Sequence, residues 1–107
     1  IQFTETPQSS TWFVCFDAKV GDTGKRFYVE DKGYDKNTVT IPIGLEIPGV
    51  KAGLKCNFKL QLDDVDGDAC NEDADNKSAG EFTVDAKGAQ LFKPEDNWKF
   101  TIRWHIK

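Results

Sequence analysis

From Trp98 to Lys107, apolar and polar residues alternate without a break. Trp98, Phe100, Ile102, Trp104 and Ile106 share one face of an extended chain, and Lys99, Thr101, Arg103, His105 and Lys107 share the other. Five period-2 positions would wind right round a helix, whereas on a strand they form one side. The segment therefore reads as a half-buried antiparallel strand with its apolar side on a core. Its cationic polar side is expected to protect a sheet edge from unwanted pairing.

Other segments follow the same rule. Lys55 to Leu62 sends Cys56, Phe58, Leu60 and Leu62 one way and Asn57, Lys59 and Gln61 the other. Glu81 to Asp85 sends Phe82 and Val84 inward, while Arg26 to Glu30 and Thr38 to Ile43 are rich in aromatic and β-branched residues. Thr11 to Phe16 includes the apolar run Trp12-Phe13-Val14-Cys15-Phe16, as expected of a central strand covered on both sides. Gln2 to Thr4 and Gln90 to Phe92 are shorter candidates. Turn signals lie at Gly21-Asp22-Thr23-Gly24, Asp31-Lys32-Gly33, Pro48-Gly49 and Lys87-Gly88. No window shows helical periodicity. The expectation is an all-β fold: one antiparallel β-sandwich domain of seven to eight short strands over residues 1–107, with a small β-barrel as the alternative. Eight Phe and three Trp supply the apolar area that a core in a chain of 107 residues requires. No apolar run approaches the ~20 residues of a membrane-spanning helix, so no integral membrane segment is expected.

Charge is distributed unevenly. Seven of the 18 acidic residues fall between Asp63 and Asp75 with no basic residue among them, and the rest of the chain is net positive. Carboxylates this dense repel unless something positive lies between them, and hard oxygen ligands on a loop suit Ca²⁺. Set against the calcium-loop template, Asp64, Asp66 and Asp68 take positions one, three and five, Glu72 position nine and Asp75 position twelve. Ala69 stands where the template's sharp turn needs glycine, with Gly67 two places early. The expected cofactor is Ca²⁺ on Asp64, Asp66, Asp68, Glu72 and Asp75; the alternative is a solvated acidic surface. Zinc lacks a Cys/His cluster of suitable spacing. Trp98, just after Pro94-Glu95-Asp96-Asn97, and Asp73 in the loop are the expected ligand contacts, with Trp98 offering a stacking face to a sugar ring. Asn76-Lys77-Ser78 is a glycosylation acceptor pattern expected on the same loop.

The chain begins at Ile1 and contains no Met, which suggests a processed chain with its signal peptide removed, or an excised domain. Export implies an oxidising compartment. Of the three cysteines, Cys56 and Cys70 are the expected disulfide, since a bridge there would gather the carboxylates; Cys15 would be a buried free thiol.

Two segments resemble known families. Gly80-Glu81-Phe82-Thr83-Val84 through Phe92-Lys93-Pro94-Glu95-Asp96 resembles the corner before the penultimate strand of immunoglobulin variable domains, whose next-strand Cys is missing here. Gly44-Leu45-Glu46-Ile47-Pro48-Gly49-Val50 with Lys55-Cys56 resembles part of the sandwich-fold lipid-binding family that includes group 2 mite allergens, whose other cysteines are missing. Neither segment places the chain in a family.

The functional expectation is a small secreted, non-enzymatic, calcium-stabilised module recognising a glycan or extracellular protein surface through its end loops. The alternatives are a secreted effector (toxin, antimicrobial protein or hydrolase inhibitor) and a small hydrolase. Catalysis has thin support: His105 is the one histidine, and no G-x-S-x-G, H-E-x-x-H or phosphate-loop pattern occurs. The net charge of −4 and the concentrated acid argue against nucleic acid as a partner.

Overall fold

The alternating segments do become strands, and pairing sorts them into two layers. The structure is a computed structural model that describes residues 1–8 and 10–106, with Lys87 described by its backbone alone. The strands are β1 (Gln2–Glu5), β2 (Phe13–Val20), β3 (Thr23–Tyr28), β4 (Val39–Thr40), β5 (Lys55–Asp63), β6 (Asn76–Thr83), β7 (Lys87–Glu95) and β8 (Trp98–His105). They form two four-stranded antiparallel sheets, ordered β4-β1-β8-β7 and β3-β2-β5-β6. The fold is a β-sandwich rather than a barrel, and no helix occurs among the described residues.

The inner faces are those the alternation marks. Val14, Phe16, Ala18 and Val20 of β2 lie opposite Leu62, Leu60, Phe58 and Cys56 of β5, and all are buried. Phe3 of β1 and Trp98, Phe100 and Ile102 of β8 close the core from the other sheet. Phe58 is the hub. Its ring lies 4.8 Å from Phe92 and 6.1 Å from Phe100 across the sandwich, and 6.0 Å from Phe16 and 6.2 Å from Phe82 within its own sheet. Trp12 is buried at one end, where its backbone exchanges two hydrogen bonds with Tyr34 and its indole donates to the Lys36 carbonyl at 3.2 Å.

Four expectations need correcting. The last strand is not an edge: β8 lies between β1 and β7. Its polar side is kept in water by side-chain pairing, Lys99 with Glu5 at 2.9 Å and Arg103 with the Gln2 amide oxygen at 3.4 Å. Lys107 falls outside the described residues. Lys87-Gly88 is not a turn but the start of β7, with Gly88 opposite Trp104. A Cβ at Gly88 would come within 2.5 Å of the Trp104 ring, so glycine is needed there for close approach and not for turning. Of Thr38 to Ile43, only Val39 and Thr40 form a strand, with Ile41 exchanging backbone hydrogen bonds with Ile1 beyond it. Asn76-Lys77-Ser78 opens β6 instead of lying on the loop, and Asn76 is half-buried opposite Leu62.

Candidate functional site

β2 is covered on both sides, and the second cover is the acidic loop itself. On the outer face of its sheet, register aligns Tyr28 of β3, Cys15 of β2, Gln61 of β5 and Lys77 of β6 in one row across all four strands. Every member of that row holds the loop. The Tyr28 hydroxyl donates to Asp66 Oδ1 at 2.7 Å and accepts from the Gly67 amide at 2.9 Å. Cys15 is bonded to Cys70, the Gln61 amide donates to the Asn71 carbonyl at 2.6 Å, and the Lys77 ammonium donates to the Glu72 carbonyl. The loop therefore runs across the strands in sequence order, from β3 to β6.

Two residues further along β5, Asp63 fastens the two ends of the loop. It is buried, and its two oxygens accept from the Val65 amide at 2.8 Å and the Asp75 amide at 3.1 Å. Between these ends the chain makes successive turns, closed by Asp68 N to Val65 O, Asn71 N to Asp68 O and Ala74 N to Asn71 O. Gly67 takes φ +91°, a left-handed conformation that favours glycine. Ala69 and Ala74 are buried beneath the loop. This explains the missing template glycine: position six is a methyl group under the loop and not its turning point.

The expected disulfide is corrected accordingly. Cys70 pairs with Cys15, and Cys56 is a buried free thiol. Cys56 opens β5, whereas the loop leaves from the far end of that nine-residue strand, at ~3.3 Å per residue. It also faces inward, opposite Val20 and Phe82. Cys15 is on the outer face opposite Gln61, directly under the loop. The disulfide is compatible with an extracellular location.

The five expected metal ligands do not converge as a set. Asp64 and Asp75 come together with Asp63, one carboxylate oxygen from each lying within 4.8 Å of the others. Asp66 is drawn away by the Tyr28 hydroxyl and the Asp31 amide, Asp68 accepts from the Asn71 side chain, and Glu72 is exposed further along. Asp63 escaped the template because its place comes from register and not from spacing. Trp98, the expected sugar platform, is 1% exposed in the core beside Phe100 and offers no face to a ligand. Asp73 is exposed at the loop surface.

The electrostatics of the loop split in two. A hydrogen bond with Asp75 and its charge, then burial and Asp63, hold the Asp64 carboxyl above the usual carboxylate value. Donation by Tyr28 and then Asp31 holds Asp66 below it. A raised folded value means that the ionised form of Asp64 is disfavoured by folding. Its stabilising contribution is present when protonated and is lost as pH rises from the unfolded value through the raised one. Asp64→Asn should therefore raise the metal-free melting temperature at neutral pH, with the gain fading as pH falls below the ordinary carboxylate value. Asp66→Asn should do the reverse and lower it at neutral pH. Melting curves from pH 3 to pH 7 test the pair, and equal responses in both variants would refute the split.

Comparison with protein-family models, curated proteins and solved structures gives no match for this chain. No helix of the described residues is long and apolar enough to cross a membrane.

Proposed function

We propose that the protein is a secreted, non-enzymatic binding module whose contact surface is the acidic loop, with Ca²⁺ held at its base by Asp63, Asp64 and Asp75. One observation carries this reading: every strand of one sheet contributes a side chain that fixes the loop in place. A loop serving only solubility needs no such fixing, whereas a loop that presents charge to a partner does, because preorganisation lowers the entropy cost of binding.

The donor chemistry fits a hard cation. Three carboxylates meet, and the Gln61 amide oxygen, on the same face of β5 two residues before Asp63, is buried without a partner among the described residues. Ca²⁺ takes six to eight such oxygens, so water or a partner would complete the shell. The ion would relieve the repulsion that raises Asp64. With Trp98 in the core, a basic protein surface fits the loop better than a neutral sugar. The effector and hydrolase readings gain nothing comparable, since His105 lies on β8, in the sheet away from the loop.

A thermal melt in excess EDTA against excess Ca²⁺ tests the cation. A ligand at a hundredfold excess over Kd stabilises by about 2.7 kcal/mol, or roughly 10 °C for a domain this size. Asp64→Asn and Asp75→Asn should each remove most of that shift. An unchanged wild-type melt would reduce the cluster to surface acid.

A further inference from the structure

The acidic loop covers only half of its sheet's outer face. Toward the other end of the strands, the next outward rows carry Arg26, Asp17, Lys59 and Ala79, then Gly24, Lys19, Asn57 and Glu81. These residues are exposed, apart from a half-buried Asp17. Asp17, Lys19, Arg26, Asn57 and Lys59 line a shallow depression of about 500 Å³. Arg26 is neutralised by Asp17 at 2.7 Å, and Glu81 by Lys55 at 3.1 Å. Among the described residues, the ammonium groups of Lys19 and Lys59 on this face have no ion-pair or hydrogen-bond partner. One face of the molecule thus carries a raised acidic half and a recessed basic half.

We propose that this face binds a second copy of the same chain. A two-fold axis lying in the interface and running across the strands, at the boundary between the halves, seats each acidic loop in the other copy's basic depression. Such an isologous contact satisfies both halves at once. The axis preserves position across the sheet, so Asp68 of one loop meets Lys19 of the other copy, and Glu72, held over β6, reaches Lys59 on the neighbouring strand. A long polyanion would satisfy the basic half but run into the loop, so charge complementarity favours the copy. A molecule of 38 × 24 × 20 Å offers such a face on the order of 800 Å² per partner, the size of a standard interface. Recognition mainly by charge makes the association reversible and sensitive to salt.

The inference rests on the loop as a contact surface, and working in EDTA separates it from the proposed cation. Sedimentation is measured at about 1 mM protein, in about 20 mM and about 1 M NaCl, where the Debye length shrinks to ~3 Å. The expected mass approaches twice 12.0 kDa at low salt and falls to one chain at high salt. Lys19→Glu with Lys59→Glu, and separately Asp68→Lys with Glu72→Lys, should each leave a monomer with an unchanged circular dichroism spectrum. An equimolar mixture of the two variants should restore the dimer, because both contacts become complementary again. A wild-type monomer at low salt overturns the proposal, as does a dimer indifferent to either charge reversal. A monomer that binds heparin through Lys19 and Lys59 overturns it in favour of a polyanion.

Discussion

Replacing Cys70 with alanine is expected to lower the melting temperature by roughly 15 °C, the largest loss from any single exposed or half-buried position. Cys15 and Cys70 are 55 residues apart. In the chain-entropy account, closing a loop of that length removes about 4 kcal/mol of unfolded-state freedom, and about 4 °C accompanies each kcal/mol in a domain this size. The bond also anchors the middle of the acidic loop, so its loss should loosen the contacts of Tyr28, Gln61 and Lys77 with the loop together. Cys56→Ala removes no crosslink and should cost far less. Calorimetry of both variants, with peptide mapping of the non-reduced protein, checks the pairing. A linked peptide containing Cys56, or a Cys70→Ala variant melting within 2–3 °C of the parent, would refute the register of β2 on β5 as well as the bond.

Phe58→Ala should be comparably damaging, at about 3–5 kcal/mol or 12–20 °C. The ring stands between the sheets and touches Phe16, Phe82, Phe92 and Phe100. A Cβ on Gly80 would already come within 3.0 Å of it, so a small residue on β6 makes room for the ring's edge. Truncation leaves a cavity bounded by strands from both layers, which cannot collapse without moving one sheet toward the other. Leu91→Ala, at a side chain 50% exposed, is the matched control and should stay within about 0.5 kcal/mol. Equal losses in the two variants by chemical denaturation would mean that the sheets do not pack through this ring.

The legible strands were those with one wet face and one dry face. β5 and β8 alternate because core and water impose opposite demands on successive residues. β7 was hidden. Gly88 answers to the Trp104 ring, and Pro94 lies by the irregular pairing between Phe92 and Glu95, so two residues that usually mark turns belong to an edge strand. The density of carboxylates was also plain, but which of them meet was not. Spacing suggested Asp64, Asp66 and Asp68 on one ion, whereas Tyr28 and Asp31, over 30 residues away along the chain, draw Asp66 aside. The disulfide failed to show for the same reason. Fourteen residues separate Cys56 from Cys70, and that closeness along the chain is undone because β5 carries Cys56 away from the loop. Cys15 reaches it only through the pairing of β2 with β5.

The position of Cys56 bears on how durable the oxidised state is. A third cysteine is ordinarily a threat to a single bridge, because a thiolate attacks a neighbouring disulfide and reshuffles it. Here the odd thiol is on the opposite face of the sandwich's second sheet from the bridge, five residues along β5 from Gln61, the cross-strand partner of Cys15, or about 17 Å at strand spacing. Burial pushes its pKa up, which starves it of the attacking form. Exchange must wait until the β5 end of the core opens, so the folded molecule shields its crosslink from its own spare sulfur. The rate at which a thiol reagent finds Cys56 would then clock that opening.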